Sequence, residues 1–253
     1  MPESRQDWNN PEQAHLLGHD ERTPGHSHDH GHLVYPATGV LALLTAEGSW
    51  IAPPNRAVWV PGGFEHHHRA HGVTDMRLVI MPPELAGLLP PHPAVLAVTP
   101  LAREATLALT GPAERDAAAR QRLRRVIIDD LTAAPEQPLH LPQPRDDRLL
   151  AVTRLVEQDL SGPATLGQLG RRAGASERTL SRLFVQETGM GFRQWRTQLR
   201  IHRALLLLTD GVPVTGVAAA CGWANPSAFI EAFTTLVGQS PGRYQRSLRA
   251  ASS

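Results

Sequence analysis

In the C-terminal part of the chain the apolar positions recur at helical intervals: Leu166, Leu169 and Ala173, then, past Gly174-Ala175, Leu180, Leu183 and Phe184. This spacing predicts two short helices joined by a turn between Thr165 and Gly189, with Ser176 capping the second. On the outer face of that second helix Arg178, Ser181 and Arg182 fall at i, i+3 and i+4 and project together. The pattern returns forty-nine residues later, where Leu180 falls on Phe229, Phe184 on Phe233, Gly189 on Gly238 and Ser176 on Asn225. In the second copy Val214, Val217, Ala218 and Cys221 mark the first helix, Gly222-Trp223-Ala224 the turn, and Asn225-Pro226 a cap with proline at the first helical position. One helix from Phe192 to about Thr209 is predicted between the copies. Its Trp195, Leu199, His202 and Leu206 form a buried stripe, and Arg193, Arg196, Arg200 and Arg203 keep helical spacing on a neighbouring face.

Upstream the period changes. From Arg22 to Pro82 short alternating runs punctuated by glycine and proline predict closely spaced β-strands, as in a small antiparallel barrel or sandwich. Pro83 to Pro93 reads as a short helical or irregular connection, followed by helices at about Leu101–Thr110 and Ala113–Thr132. In the last of these Ala119, Leu123, Val126, Ile127 and Leu131 form a stripe that suits either a core-facing helix or a dimer seam. Residues 133–147 hold four prolines and predict a semi-stiff extended linker. Residues 1–21 are polar at the start and lack an apolar core, which predicts a disordered leader, no signal peptide and a cytoplasmic chain.

Composition adds the distribution of charge. The net charge is only +1, but residues 148–253 hold thirteen Arg against six acidic residues (+7), whereas residues 1–147 hold twelve against eighteen (−6). The basic half is the half with the helix pairs. All twenty-five basic residues are Arg, which suits bidentate contacts to phosphate and guanine and is equally what a GC-rich coding sequence gives. The lone Cys221 cannot form an internal disulfide and sits on an apolar helix face, so it reads as a small core residue rather than a redox sensor. No apolar run is long enough to span a membrane.

Two histidine-rich stretches carry candidate chemistry. In Gly25 to His32 four histidines, His26, His28, His30 and His32, alternate and would share one face of an extended segment. The second stretch is Pro61-Gly62-Gly63-Phe64-Glu65-His66, followed by His67 and His68.

The segments SERTLSRLF, ETGMGFRQWR, CGWANPSAFIEAF and GQSPGRY resemble the C-terminal DNA-binding domain of the AraC/XylS family of bacterial transcription regulators, over about Leu149 to Arg246. The resemblance implies that the second helix of each pair is a recognition helix, with Arg178, Ser181 and Arg182 in the first and Ser227, Ala228 and Glu231 in the second. Glu231 stands where several relatives carry a basic residue, so the second helix reads cytosine amino groups, relies on shape or contributes little. Arg193 and Arg196 are the leading candidates for phosphate contacts from the connecting helix.

The two histidine stretches resemble the signature motifs of the cupin barrel, which implies His26, His28 and His66 as metal ligands. His32 occupies the place of the cupin glutamate and would serve as a fourth imidazole. An all-histidine site favours a divalent transition metal such as zinc, nickel, cobalt, copper or iron. The alternative is a metal-free pocket for an organic effector, and His30, His67 and His68 are expected to face solvent. Trp50, Trp59 and Tyr35 are expected in the barrel core.

The expectation is an α+β chain of two domains. Residues 22–132 form a cupin-like β-barrel with appended helices for sensing and dimerisation, and 148–253 form an all-α domain with two helix-turn-helix units. It implies a non-enzymatic transcription regulator with double-stranded promoter DNA, a metal ion or small-molecule effector, a second copy of the chain and RNA polymerase as partners. The competing class is a metal-dependent cupin oxygenase fused to a DNA-binding domain. Against it, His32 replaces the carboxylate that a two-histidine, one-carboxylate oxygen site would use.

Overall fold

The computed structural model describes residues 12, 14–133, 136 and 139–251. Along the chain the strands are β1 Ala14–Leu17, β2 His32–Thr45, β3 Gly48–Ala52, β4 Arg56–Val60, β5 His67–Ile80, β6 Ala94–Ala97 and β7 His140–Pro142. The helices are α1 Pro83–Ala86, α2 Pro100–Thr110, α3 Ala117–Thr132, α4 Asp147–Gln158 and α5 Leu166–Arg172. They continue with α6 Glu177–Thr188, α7 Phe192–Thr209, α8 Val214–Ala220, α9 Pro226–Val237 and α10 Pro241–Ala251. Two compact units emerge: Met1–Leu43 with Ala52–Gln137, and Leu44–Ile51 with Pro138–Ser253.

The first unit is an antiparallel sheet with α2 and α3 packed on it. Its ladders run β1-β5-β2, with β4 added to β2 and β6 to β4, and among the described residues they do not close on themselves. Arg56↔Ala97 to Trp59↔Ala94 set the β4–β6 register, and His32↔Val60 to Val34↔Val58 that of β2 with β4. Tyr35, Trp59, Met81, Leu85, Leu96, Leu109, Ile127, Ile128 and Leu131 make one core cluster. Each such side chain contributes about 1.5–3 kcal/mol by leaving water. The two aromatics find partners for their polar ends: Tyr35 Oη donates to Pro54 O at 2.8 Å and Trp59 Nε1 to Pro90 O at 2.8 Å. The α3 stripe therefore faces the core of its own unit, with Leu123 and Val126 packed against the same cluster.

Three expectations need correction here. The leader of residues 1–21 is not disordered throughout: Ala14–Leu17 form β1, paired with β5 from Ala14↔Arg77 to Leu17↔Thr74, because alternate Leu17 and His15 are buried. Glu12 is tied down as well, its carboxylate paired with Arg120 and Arg124 of α3. Residues 1–11 and 13 lie outside the described residues. The proline-rich stretch 133–147 is not all linker, since His140–Pro142 pair with β3 from Gly48↔Pro142 to Trp50↔His140. Four of its residues, 134, 135, 137 and 138, lie outside the described ones. Trp50 thus belongs to the second unit, stacked on His140 at 4.1 Å and 5°, and not to the core of the first.

The second unit is helical apart from β3 and β7. Both predicted helix pairs form, α5 with α6 and α8 with α9, and the repeat holds to within one residue. Thr165 and Gln168 make a reciprocal capping box on α5, Ser176 Oγ accepts from Thr179 N–H at 3.1 Å, and Asn225 Oδ1 accepts from Ser227 N–H at 2.9 Å. Both α6 and α9 end at a glycine in the left-handed region, Gly189 at φ 70° and Gly238 at φ 78°. Leu180, Leu183, Phe184 and Trp195 centre one half of the core; Phe229, Phe233, Val237 and Tyr244 are buried in the other. On α7 the buried residues are Trp195, Gln198, Ile201, His202, Ala204, Leu205 and Leu208. Leu199 and Leu206 are only half-buried, because α7 is covered by helices from both pairs and buries a broader face than a single stripe.

Candidate functional site

The short turns between paired helices fix what α6 and α9 show to solvent. On α6 Leu180, Leu183 and Phe184 turn inward, which leaves Arg178, Ser181 and Arg182 exposed together. On α9 Phe229 and Phe233 turn inward, leaving Ser227 and Glu231 exposed and Ala228 half-buried. Ser176 and Asn225 hold the N-terminal end of each helix, the end that enters a major groove when such helices read DNA.

The connecting helix divides its arginines between two tasks. Arg193 and Arg203 are exposed. Arg196 is half-buried, with Nη1 donating to Ala164 O at 2.9 Å and Nη2 to Gly162 O. Arg200 donates to Leu160 O through Nη2 at 3.2 Å and lies 5.8 Å from the Trp223 ring centre. Burial lowers the pKa of both guanidinium groups. These two side chains tie the α4–α5 loop to α7, so Arg196 is occupied with the unit's own backbone and Arg193 is the better placed of the two phosphate candidates.

In the first unit the histidines do converge. His26 and His66 face each other across an isolated antiparallel bridge, each N–H donating to the other's carbonyl at 2.9 Å. His32 opens β2, and His28 lies between. They thus come from a bridge, a connecting segment and a strand start, not from one edge strand as alternation alone suggests. Ring centroids of His28 and His32 lie 4.6 Å apart, those of His26 and His66 4.5 Å, and those of His32 and His66 5.1 Å. Two overlapping triads, His26/His66/His68 and His28/His32/His66, place their ring nitrogens within 4.8 Å of one another.

His68 is the member the sequence reading misplaced. It is 1 % exposed, inward-facing on β5, with His67 and Arg69 half-buried on either side. The signal was parity: residues two apart on a strand share a face, so His66 and His68 go inward together. Backbone carbonyls set the tautomers. His26 Nδ1 lies 2.8 Å from Pro24 O and His66 Nδ1 2.8 Å from Phe64 O, so each Nδ1 carries a proton and donates it to a backbone carbonyl. Nε2 of His66 and of His68 are buried without a hydrogen-bond partner. Burial pushes the His66 imidazole down to about 4, and lowers His28 and, more strongly, His32 and His68. In all four, burial favours the neutral imidazole, the form that binds metal.

A positively charged helical unit with exposed arginines on one capped helix is the kind of surface that binds a nucleic-acid backbone. The helix-turn-helix domain family matches residues 169–247. The HTH-type transcriptional regulator NimR of Escherichia coli K12 is 37 % identical over 233 residues, covering 90 % of this chain and 84 % of that protein. The HTH-type transcriptional activator RhaR of Klebsiella pneumoniae is 36 % identical over 106 residues, 42 % of this chain and 37 % of that one. Among solved structures, the DNA-binding domain of AdpA in complex with a target DNA is 33 % identical, covers 42 % of this chain and 96 % of that one, and gives a TM-score of 0.39.

The chain belongs to the AraC/XylS family of transcription regulators. It is a DNA-binding transcription regulator, like the relatives it matches. No described helix is long and apolar enough to cross a membrane.

Proposed function

We propose that the chain regulates promoters by sequence-specific binding through the outer faces of α6 and α9, and that its first unit is a cupin-type sensor whose histidine cluster holds one divalent transition metal. The observation that carries the DNA part is the exposed triplet Arg178, Ser181 and Arg182 on one face of a capped helix. The metal part is supported by the buried, unpartnered Nε2 atoms of His66 and His68 beside His26, His28 and His32. His26, His66 and His68, or His28, His32 and His66, would hold the ion. Neutral imidazoles favour zinc, nickel, cobalt, copper or iron over magnesium or calcium. To regulate, the ion must bind the DNA-competent and DNA-incompetent states with different affinity. The reading includes contact with RNA polymerase and pairing of two chains. The inner edge of the α3 stripe packs on its own core, while Ala119, Leu123 and Val126 are half-buried and could still take part in the pairing.

Elemental analysis of untagged protein purified without chelator is expected to find near-stoichiometric metal, lowered sharply by His66→Ala and left alone by His67→Ala. Protein that stays metal-free after reconstitution would refute the ion. Footprinting of the chain on its own upstream region, with and without that metal, tests the rest. Absence of any protected sequence would refute specific binding, and protection indifferent to metal would refute sensing while leaving the site.

A further inference from the structure

We infer that Val185 and Ile230 are specificity-determining residues that read thymine methyl groups in the major groove, one from each helix pair; the inference rests on the DNA-binding reading above. Val185 is 57 % and Ile230 41 % exposed, and among the described residues they are the large apolar side chains of the second unit left exposed. Scattered apolar residues on a surface need no explanation by themselves. These two are not scattered. Val185 stands at i+7 from Arg178, on the exposed line Arg178, Ser181, Arg182 and Val185 of α6. Ile230 stands on the matching line Ser227, Ile230, Glu231 and Thr234 of α9. The forty-nine-residue shift superposes these lines position by position, and Ile230 falls on Ser181.

The shift also corrects the second reading set. Ala228 matches Thr179, which is half-buried, whereas Ile230 matches an exposed reader. On α9 the hydroxyls of Thr234 and Thr235 are engaged by the helix itself, donating to Ile230 O at 2.7 Å and Glu231 O at 2.9 Å. What remains outward near the middle of α9 is an aliphatic side chain beside a carboxylate. In the major groove thymine offers the 5-methyl group to apolar contact and cytosine the N4 amino group to a carboxylate. Ile230 and Glu231 match those two features, and Val185 extends the arginine face of α6 with another methyl contact.

The test uses the full chain and duplexes it enriches from a random-sequence pool. Each thymine of an enriched site is replaced in turn by deoxyuridine, which removes only the 5-methyl group. For at least one thymine under each helix the wild type is expected to lose about fourfold in affinity, the equivalent of one methyl kept in water. Ile230→Ala should lose a similar factor on the thymine duplex and nothing further on the deoxyuridine duplex at its position, and Val185→Ala likewise at another. Both side chains are exposed, so the melting temperatures of the variants should match wild type. Enriched sites that tolerate deoxyuridine everywhere, or that contain no thymine, would overturn the inference while leaving sequence-specific binding intact. A deoxyuridine penalty undiminished in one variant removes that residue from it. Failure to enrich any sequence would overturn the DNA-binding reading and this inference together.

Discussion

Arg182 shares its exposed helix face with Arg178 and has no backbone carbonyl to hold, unlike Arg196. A guanidinium so placed suits a bidentate guanine contact, so Arg182→Ala is expected to cost about 1–3 kcal/mol on the cognate duplex and almost nothing on random DNA. Titrations on both duplexes check it, and equal losses would make Arg182 a phosphate contact. Cys221 gives a prediction in pH. Burial pushes its thiol up to about 11, and the side chain is 0 % exposed. Below the thiol's unfolded pKa, about 8.5–9, both states keep the proton; between there and about 11 the unfolded chain loses it and the folded one does not. Stability is therefore present below that window and lost across it, at up to about 1.4 kcal/mol per pH unit. Cys221→Ala should abolish that part of the alkaline loss in urea titrations. The core placement of Cys221 was legible from its apolar helix face. The burial of His68 was legible only by applying to His66 and His68 the same alternation that relates His26 and His28.

Helices and strands differ in how much of themselves they announce. The pairs α5–α6 and α8–α9 carry their own period and glycine stops, and α5, α6 and α9 their own side-chain caps, so most of their bounds follow from local residues. The strands β1, β6 and β7 span only three or four residues and exist because a partner strand is there to receive them. Nothing within four residues encodes that partner. For α7 the sequence shows four regularly spaced arginines and cannot show which of them meet the protein's own carbonyls. The structure separates them, and so do two measurements. Arg193→Ala or Arg203→Ala is expected to weaken binding to every duplex and to reduce the slope of affinity against salt by about one for each phosphate no longer neutralised. Arg196→Ala should instead lower the melting temperature, since it leaves the carbonyls of Gly162 and Ala164 without their donor. A pure salt-slope effect from Arg196→Ala, with unchanged melting, would return it to the phosphate-binding set.

At the scale of the whole molecule, the division falls within the proline-rich stretch, with unit one ending at Gln137 and unit two resuming at Pro138, but one earlier segment crosses it. Residues Leu44–Ile51 belong with the helical unit, where β3 pairs with β7 and Trp50 stacks on His140. A fragment begun at residue 139 would leave β7 without its partner strand. Calorimetry is expected to show it melting below the same unit in the full chain, and an equal melting temperature would mean that β3 adds nothing. The forty-nine-residue repeat has a different consequence. Its two outward faces have diverged completely, Arg178, Ser181, Arg182 and Val185 against Ser227, Ile230, Glu231 and Thr234. If both faces read bases as proposed above, one copy of the chain has a front and a back, and the string of bases it recognises is not its own reverse complement. The duplex has no such preference, so on that reading the direction in which a site is read comes from the protein.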